Sequence, residues 1–173
     1  MLADFTTMSI HITDEEFYWE SIEEAWDALS SIADSEAYLV AFREYPQWIR
    51  DLIAVHWLLQ EFDNGGLMQF FLNDTGNLAP DACDGFRHMG LESAAVAVAQ
   101  ALALFGSQFP RDEKDRDRLL RAKVGLKADD GHYALYKSGL FSSMEDALCV
   151  AGGPDLDLIY DRMNQYAKEH VGS

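Results

Sequence analysis

Apolar side chains recur every third or fourth position along nearly the whole chain, which is the period of helices that bury one face. Tyr18, Ile22, Ala25, Trp26, Leu29 and Ile32 form the first such stripe. Ahead of it, Thr13-Asp14-Glu15-Glu16 has the form of a capping box, so the spacing predicts a helix over residues 13 to about 31. Ser35 is placed to cap a second helix, which must stop near Tyr45 because the residue before Pro46 is pushed out of helical conformation. Pro46 suits the first turn of a third helix over 47–62, which Asn64-Gly65-Gly66 ends.

A short apolar helix over 67–72 then leads into turn-rich residues 73–77. Further helices are expected over 80–89, 92–105, 111–123, 131–148 and, after Gly152-Gly153-Pro154, 155–170. Val/Ile/Thr-rich alternation is nearly absent, apart from a short extended piece expected at 8–12. The expected fold is all-α, a single compact domain of about seven or eight helices.

Composition agrees with one packed body. A chain of 173 residues, 49% hydrophobic and with four Trp, seven Tyr and ten Phe, is too aromatic for disorder despite its charge. Cys83 and Cys149 have no short-spaced partner, so neither a disulfide framework nor a zinc signature is present, and each is expected as a small buried hydrophobe in a reducing compartment. The N-terminal residues lack the basic and apolar regions of a signal peptide, and the longest apolar stretch, 94–105, is interrupted by Gln100. A cytoplasmic protein is expected.

Charge changes the picture more. The first 42 residues carry ten carboxylates and no lysine or arginine. Up to Glu92 there are eighteen acids against three bases, so almost all of the net charge of −17 lies in one half. Such a surface repels nucleic acid and anionic membranes and attracts basic proteins or cations. On the first helix Glu16, Glu20, Glu23 and Asp27 form one stripe, which Glu24 broadens. Five like-charge pairs result, at about 0.2–0.5 kcal/mol of repulsion each. The helix dipole offsets Asp14, Glu15 and Glu16 but fades beyond the first turn. Over 111–123, by contrast, Asp112/Arg116 and Asp117/Arg121 alternate sign at i,i+4, the pattern of an ordinary solvated helix. An acidic face can serve solubility alone, but carboxylates at this spacing can also imitate successive phosphates along a nucleic-acid strand.

Residues 61–76, EFDNGGLMQFFLNDTG, resemble a bacterial family built around an N-N-G-G…Q-aromatic-F…N…G core. Phe86-Arg87-His88-Met89-Gly90 and, near the C-terminus, Asp157, Tyr160, Tyr166 and His170 extend the likeness, while Asp63 departs from the asparagine common in the family. An acidic branch of that family consists of DNA-mimic proteins. The resemblance implies an all-α, cytoplasmic homodimer with no catalytic site. It implies a basic DNA-binding protein as partner, of the helix-turn-helix transcription-factor type, with no direct contact to nucleic acid or membrane. The partner-binding residues would be Asp14, Glu15, Glu16, Glu20, Glu23, Glu24, Asp27, Asp34 and Glu36. The small residues over 94–103 would allow close helix approach, in a dimer or within one chain.

From its residues alone the motif looks structural. Gly65-Gly66 tolerates positive φ where one helix meets the next, Gln69 and Asn73 are placed to satisfy freed backbone groups, and Phe70, Phe71 and Leu72 fill the core. The five histidines stand singly, without metal-ligand spacing, so no metal or cofactor is expected. A helical histidine such as His56 is expected in the core. Residues 112–117 resemble a calcium loop only superficially, lacking its glycine and terminal glutamate. Besides DNA mimicry, two alternatives stand: an acidic, chaperone-like module for a basic partner that does not bind DNA, and a hydrolase-like enzyme using Glu61, Asp63 and a histidine.

Overall fold

A computed structural model of the chain describes residues 17–172. Nine α-helices occur among them: α1 (Phe17–Ser30), α2 (Ser35–Arg43), α3 (Gln47–Leu72), α4 (Ala79–His88), α5 (Glu92–Ala103), α6 (Glu113–Val124), α7 (His132–Lys137), α8 (Ser142–Gly152) and α9 (Asp157–His170). There is no strand among the described residues, and the fold is all-α. The capping box at Thr13, the extended piece at 8–12, and Asp14, Glu15 and Glu16 lie outside them.

The organising element is α3. Leu52, Ile53, Ala54, Val55, Leu58 and Leu59 are each fully buried, so this helix is enclosed on nearly every side. Helices α1, α4, α6 and α9 pack around it, α5 packs on α4, and α8 packs on α5 and α9. The apolar stretch Ala94, Ala95, Ala97, Val98 and Ala101 is buried within this one chain. Close packing against α4 and α8 accounts for its small side chains.

Near its end α3 bends. Gly65 (φ −170°, ψ 24°) and Gly66 (φ 75°, ψ −172°) leave helical geometry, so the helix expected over 47–62 and the one over 67–72 join at a kink rather than separate. Gly66 carries two constraints. Its φ is positive, and a Cβ there would collide with the Glu145 carboxylate, which accepts the freed Leu67 N–H at 2.8 Å.

Other boundaries shift for local reasons. Asp34, not Ser35, caps α2, its carboxylate accepting the Ala37 N–H at 2.7 Å. Asp112 caps α6 through Lys114 and Asp115, which moves the start of that helix to Glu113. The single helix expected over 131–148 is two, parted by Gly139 at φ 64°. The last helix begins at Asp157, because Asp155 and Leu156 both have positive φ. One expected helix is thus divided and two are joined, and nine α-helices stand among the described residues against the seven or eight expected. Cys83 is buried as expected, but Cys149 is exposed on α8. No helix among the described residues is long and apolar enough to cross a membrane.

Candidate functional site

Helix α1 divides into three strips. Tyr18, Ile22, Ala25 and Leu29 are buried. Trp19 and Trp26, seven residues apart and so stacked on one flank, are partly exposed. Glu20, Glu23, Glu24 and Asp27 occupy the side opposite the buried strip, with Glu23 next to the tryptophan flank, and are all exposed. Among the described residues none of these four carboxylates joins an ion pair; every pair lies in the chain from Asp51 onward. Asp34 and Glu36 are exposed on the short connection into α2 and its first turn, Asp34 being held by its capping bond.

The helix is docked by polar as well as apolar contacts. The Tyr18 backbone N–H donates to Asn164 Oδ1 at 2.9 Å, and the Tyr18 hydroxyl shares a hydrogen bond with His56 Nδ1 at 3.1 Å. Burial lowers the His56 pKa to about 4, so the ring is neutral at pH 7, a core histidine as its position suggested. Burial, with a smaller contribution from Tyr160, raises the Tyr18 pKa. Trp26 stacks on Trp57 of α3 at 4.3 Å between centroids, and Trp19 and Trp26 both contact the His56 ring. Tyr18, Trp19, Trp26, His56, Trp57, Gln60, Glu61 and Asn64 line an open cleft of about 400 Å³ between α1 and α3.

Glu61 is the centre of the motif. It is 8% exposed, and its carboxylate accepts Gln69 Nε2 at 2.8 Å, Asn73 Nδ2 at 2.8 Å and the Thr75 hydroxyl at 3.1 Å. Gln69 and Asn73 therefore serve a buried carboxylate, not the freed backbone groups expected of them. The backbone beyond the kink is satisfied instead by Arg116. Its guanidinium is fully buried and donates to the carbonyls of Phe71 (2.8 Å), Asn73 (2.6 Å), Pro110 (3.3 Å) and Arg111 (2.6 Å). Burial pulls its pKa down to about 10, against the opposing pull of Glu113, Asp74 and Asp112.

The expectation that residues 111–123 form an ordinary solvated helix fails here. Arg116 does not pair with Asp112, and Arg121, 6% exposed, joins Asp117 to the carbonyls of Lys127 and Asp130. Asp51 forms a third buried node, 1% exposed, accepting Gln47 Nε2 and the Tyr166 hydroxyl, each at 2.8 Å, and bonded to His88 Nδ1 at 2.9 Å.

Glu61, Asp63 and a histidine are not assembled as one group: Glu61 lines the cleft with His56 but is engaged by Gln69, Asn73 and Thr75, whereas Asp63 is exposed. Among the described residues no group of three or more His, Cys, Asp or Glu stands where it could hold a metal ion. Sequence reasoning missed the aromatic cleft and the buried arginines. Two signals pointed to them: the seven-residue spacing of Trp19 and Trp26, and the position of Arg116 three and four residues before Leu119 and Leu120 on one face of α6.

No curated protein and no solved structure matches the chain. A family model described as DMP19-like protein matches residues 43–170, which hold the kink, the Glu61, Arg116 and Asp51 networks and the α3 wall of the cleft, while α1 precedes the matched segment. The chain belongs to the DMP19-like family.

Proposed function

We propose that this protein is a DNA mimic, whose surface carboxylates occupy the DNA-binding face of a basic DNA-binding protein and so relieve or block its hold on DNA. The observation that carries this reading is the row Glu20, Glu23, Glu24 and Asp27, exposed on one face of α1 and without a cation among the described residues. Seven residues of helix rise about 10.5 Å, which gives about 3.5 Å of axis per charge, close to the roughly 3.4 Å per charge of one DNA strand. Asp34 and Glu36 continue the acidic surface into α2. Membership of the DMP19-like family is compatible with this role.

The proposed partner is a transcription factor of the helix-turn-helix type. The proposed setting is the cytoplasm, without catalysis, metal or cofactor. The proposed form is a homodimer, for which exposed Val96 and Val150, lining one groove between α5 and α8, offer apolar surface; sedimentation showing only monomer at micromolar concentration refutes it.

The functional test is capture from a native lysate, elution by a salt gradient, and mobility-shift competition between this protein and the captured partner's DNA. DNA mimicry predicts release of the DNA at a modest excess of the mimic. A partner that keeps its DNA throughout refutes it and favours an acidic module for a partner that does not bind DNA.

A further inference from the structure

We infer that the aromatic cleft between α1 and α3 is an anchor site for one arginine side chain of the basic partner. The inference rests on the proposed partner, but it concerns an aromatic part of the footprint rather than the charge row. The cleft, of about 400 Å³, has Trp19, Trp26 and Trp57 as walls, each partly exposed. Indole faces carry negative quadrupole potential and attract cations within about 6 Å of the ring centre. A planar guanidinium can stack on such a face while its edge donates hydrogen bonds, which a compact ammonium cannot do as well.

Charge around the cleft favours the same occupant. Glu61 lines it as a nine-tenths buried carboxylate that is met by neutral donors alone, with no lysine or arginine pairing with it among the described residues. Gln60 and Asn64 add polar groups at the edge. On α1, Glu23 follows Trp19 by four residues and precedes Trp26 by three, so it stands at the rim where the aromatic flank meets the acidic strip. His56, neutral at pH 7, brings no opposing positive charge. Interface energy concentrates in buried aromatic and arginine contacts rather than in exposed ion pairs. The charge row would then steer the partner, and the cleft would hold it.

The test uses the full isotope-labelled chain and two probes of matched shape, N-acetyl-arginine amide and the neutral N-acetyl-citrulline amide. The indole N–H signals of the four tryptophans report separately, and Trp48, stacked on His170 outside the cleft, is the internal control. The arginine amide is expected to shift Trp19, Trp26 and Trp57 saturably and to leave Trp48 in place, with the citrulline amide at least about fivefold weaker. Trp26→Leu should weaken arginine binding about fivefold or more in a chain whose circular dichroism and melting show it folded. Glu23→Gln should weaken it partially, and Glu24→Gln, on the far side of the strip, should leave it unchanged. Absence of a saturable shift, equal binding of both amides, or undiminished affinity in folded Trp26→Leu overturns the assignment. Arginine binding alongside a partner that keeps its DNA supports the cleft and refutes DNA mimicry, so the two proposals fail separately.

Discussion

Replacing Glu20, Glu23, Glu24 and Asp27 together by glutamine should move stability and binding in opposite directions. The four exposed carboxylates make like-charge contacts at 20/23, 20/24, 23/27 and 24/27. At about 0.2–0.5 kcal/mol each, their removal returns roughly 0.8–2 kcal/mol, and Asp27→Gln adds a few tenths through helix propensity. For a chain of this size that raises the melting temperature by about 2–8 °C. Exposed charge contacts with a partner contribute about 0.2–1 kcal/mol each, so four of them lost should weaken binding by roughly fourfold to several hundredfold. The log–log salt dependence should flatten by up to about four as well. Thermal melting and DNA-competition titrations at several salt concentrations read all three. Arg118→Glu, at an exposed position in α6, is the matched control and should leave binding nearly unchanged, whereas Arg116 and Arg121 are unsuitable because both are buried. A quadruple variant that competes with DNA as well as the parent shows that the mimicking acids lie elsewhere, and one that melts lower refutes the repulsion argument itself.

Three further outcomes follow from the buried polar groups. Arg116→Met should cost about 3 kcal/mol or more, seen as a lower urea midpoint, because it takes the guanidinium from the carbonyls of Phe71, Pro110 and Arg111 and leaves that of Asn73 with the Gly76 N–H alone; Arg116→Lys should fail to rescue, since one ammonium cannot cover that fork. Glu61→Gln should cost about 1–3 kcal/mol, because a neutral carbonyl replaces the carboxylate oxygen that Gln69 and Asn73 share, and the new amide N–H faces the Thr75 hydroxyl, which must turn from donor to acceptor. Burial holds the folded His56 pKa at about 4 against the ordinary 6.5, so unfolding takes up a proton between those limits. Its contribution is present in full above pH 6.5 and is lost as pH falls toward 4, up to about 3 kcal/mol; urea titrations of parent and His56→Gln between pH 7 and pH 4 should differ by that trend, and parallel curves refute it.

What could be read from the sequence was local. The buried set Tyr18, Ile22, Ala25 and Leu29 followed from three-and-four spacing, as did the bend at Gly65-Gly66 from its glycines. The misses were of two kinds. Some concerned where side chains meet across the fold: Asp51 and Tyr166 are 115 positions apart, and Arg116 reaches Phe71 across 45. No periodicity encodes such meetings. The others came from reading charge before face. Asp112/Arg116 has the spacing of an ion pair, but Arg116 also shares its face with Leu119 and Leu120, and burial of that face drew the guanidinium inward. For Trp19 and Trp26 the spacing was visible, while the partner surface of His56 and Trp57 came only with the fold.

The acidic strip survives on α1 because packing outweighs repulsion. Ile22 and Leu29, 0% and 2% exposed, gain about 1.5–3 kcal/mol each from burial, and Tyr18, Trp19 and Trp26 add aromatic contacts. Against that, the strip costs roughly 0.8–2 kcal/mol. The receptors for α1, among them His56, Trp57 and Asn164, lie within the segment that the family model matches, while the charges themselves lie ahead of it. A fixed scaffold thus presents a helix whose outer face is free to carry charge without disturbing the core. The same geometry sets the two proposed elements side by side, since Trp19 and Trp26 border Glu23 on one helix. Long-range attraction and short-range anchoring can then act on one partner face, and variants on either side of Glu23 can separate them.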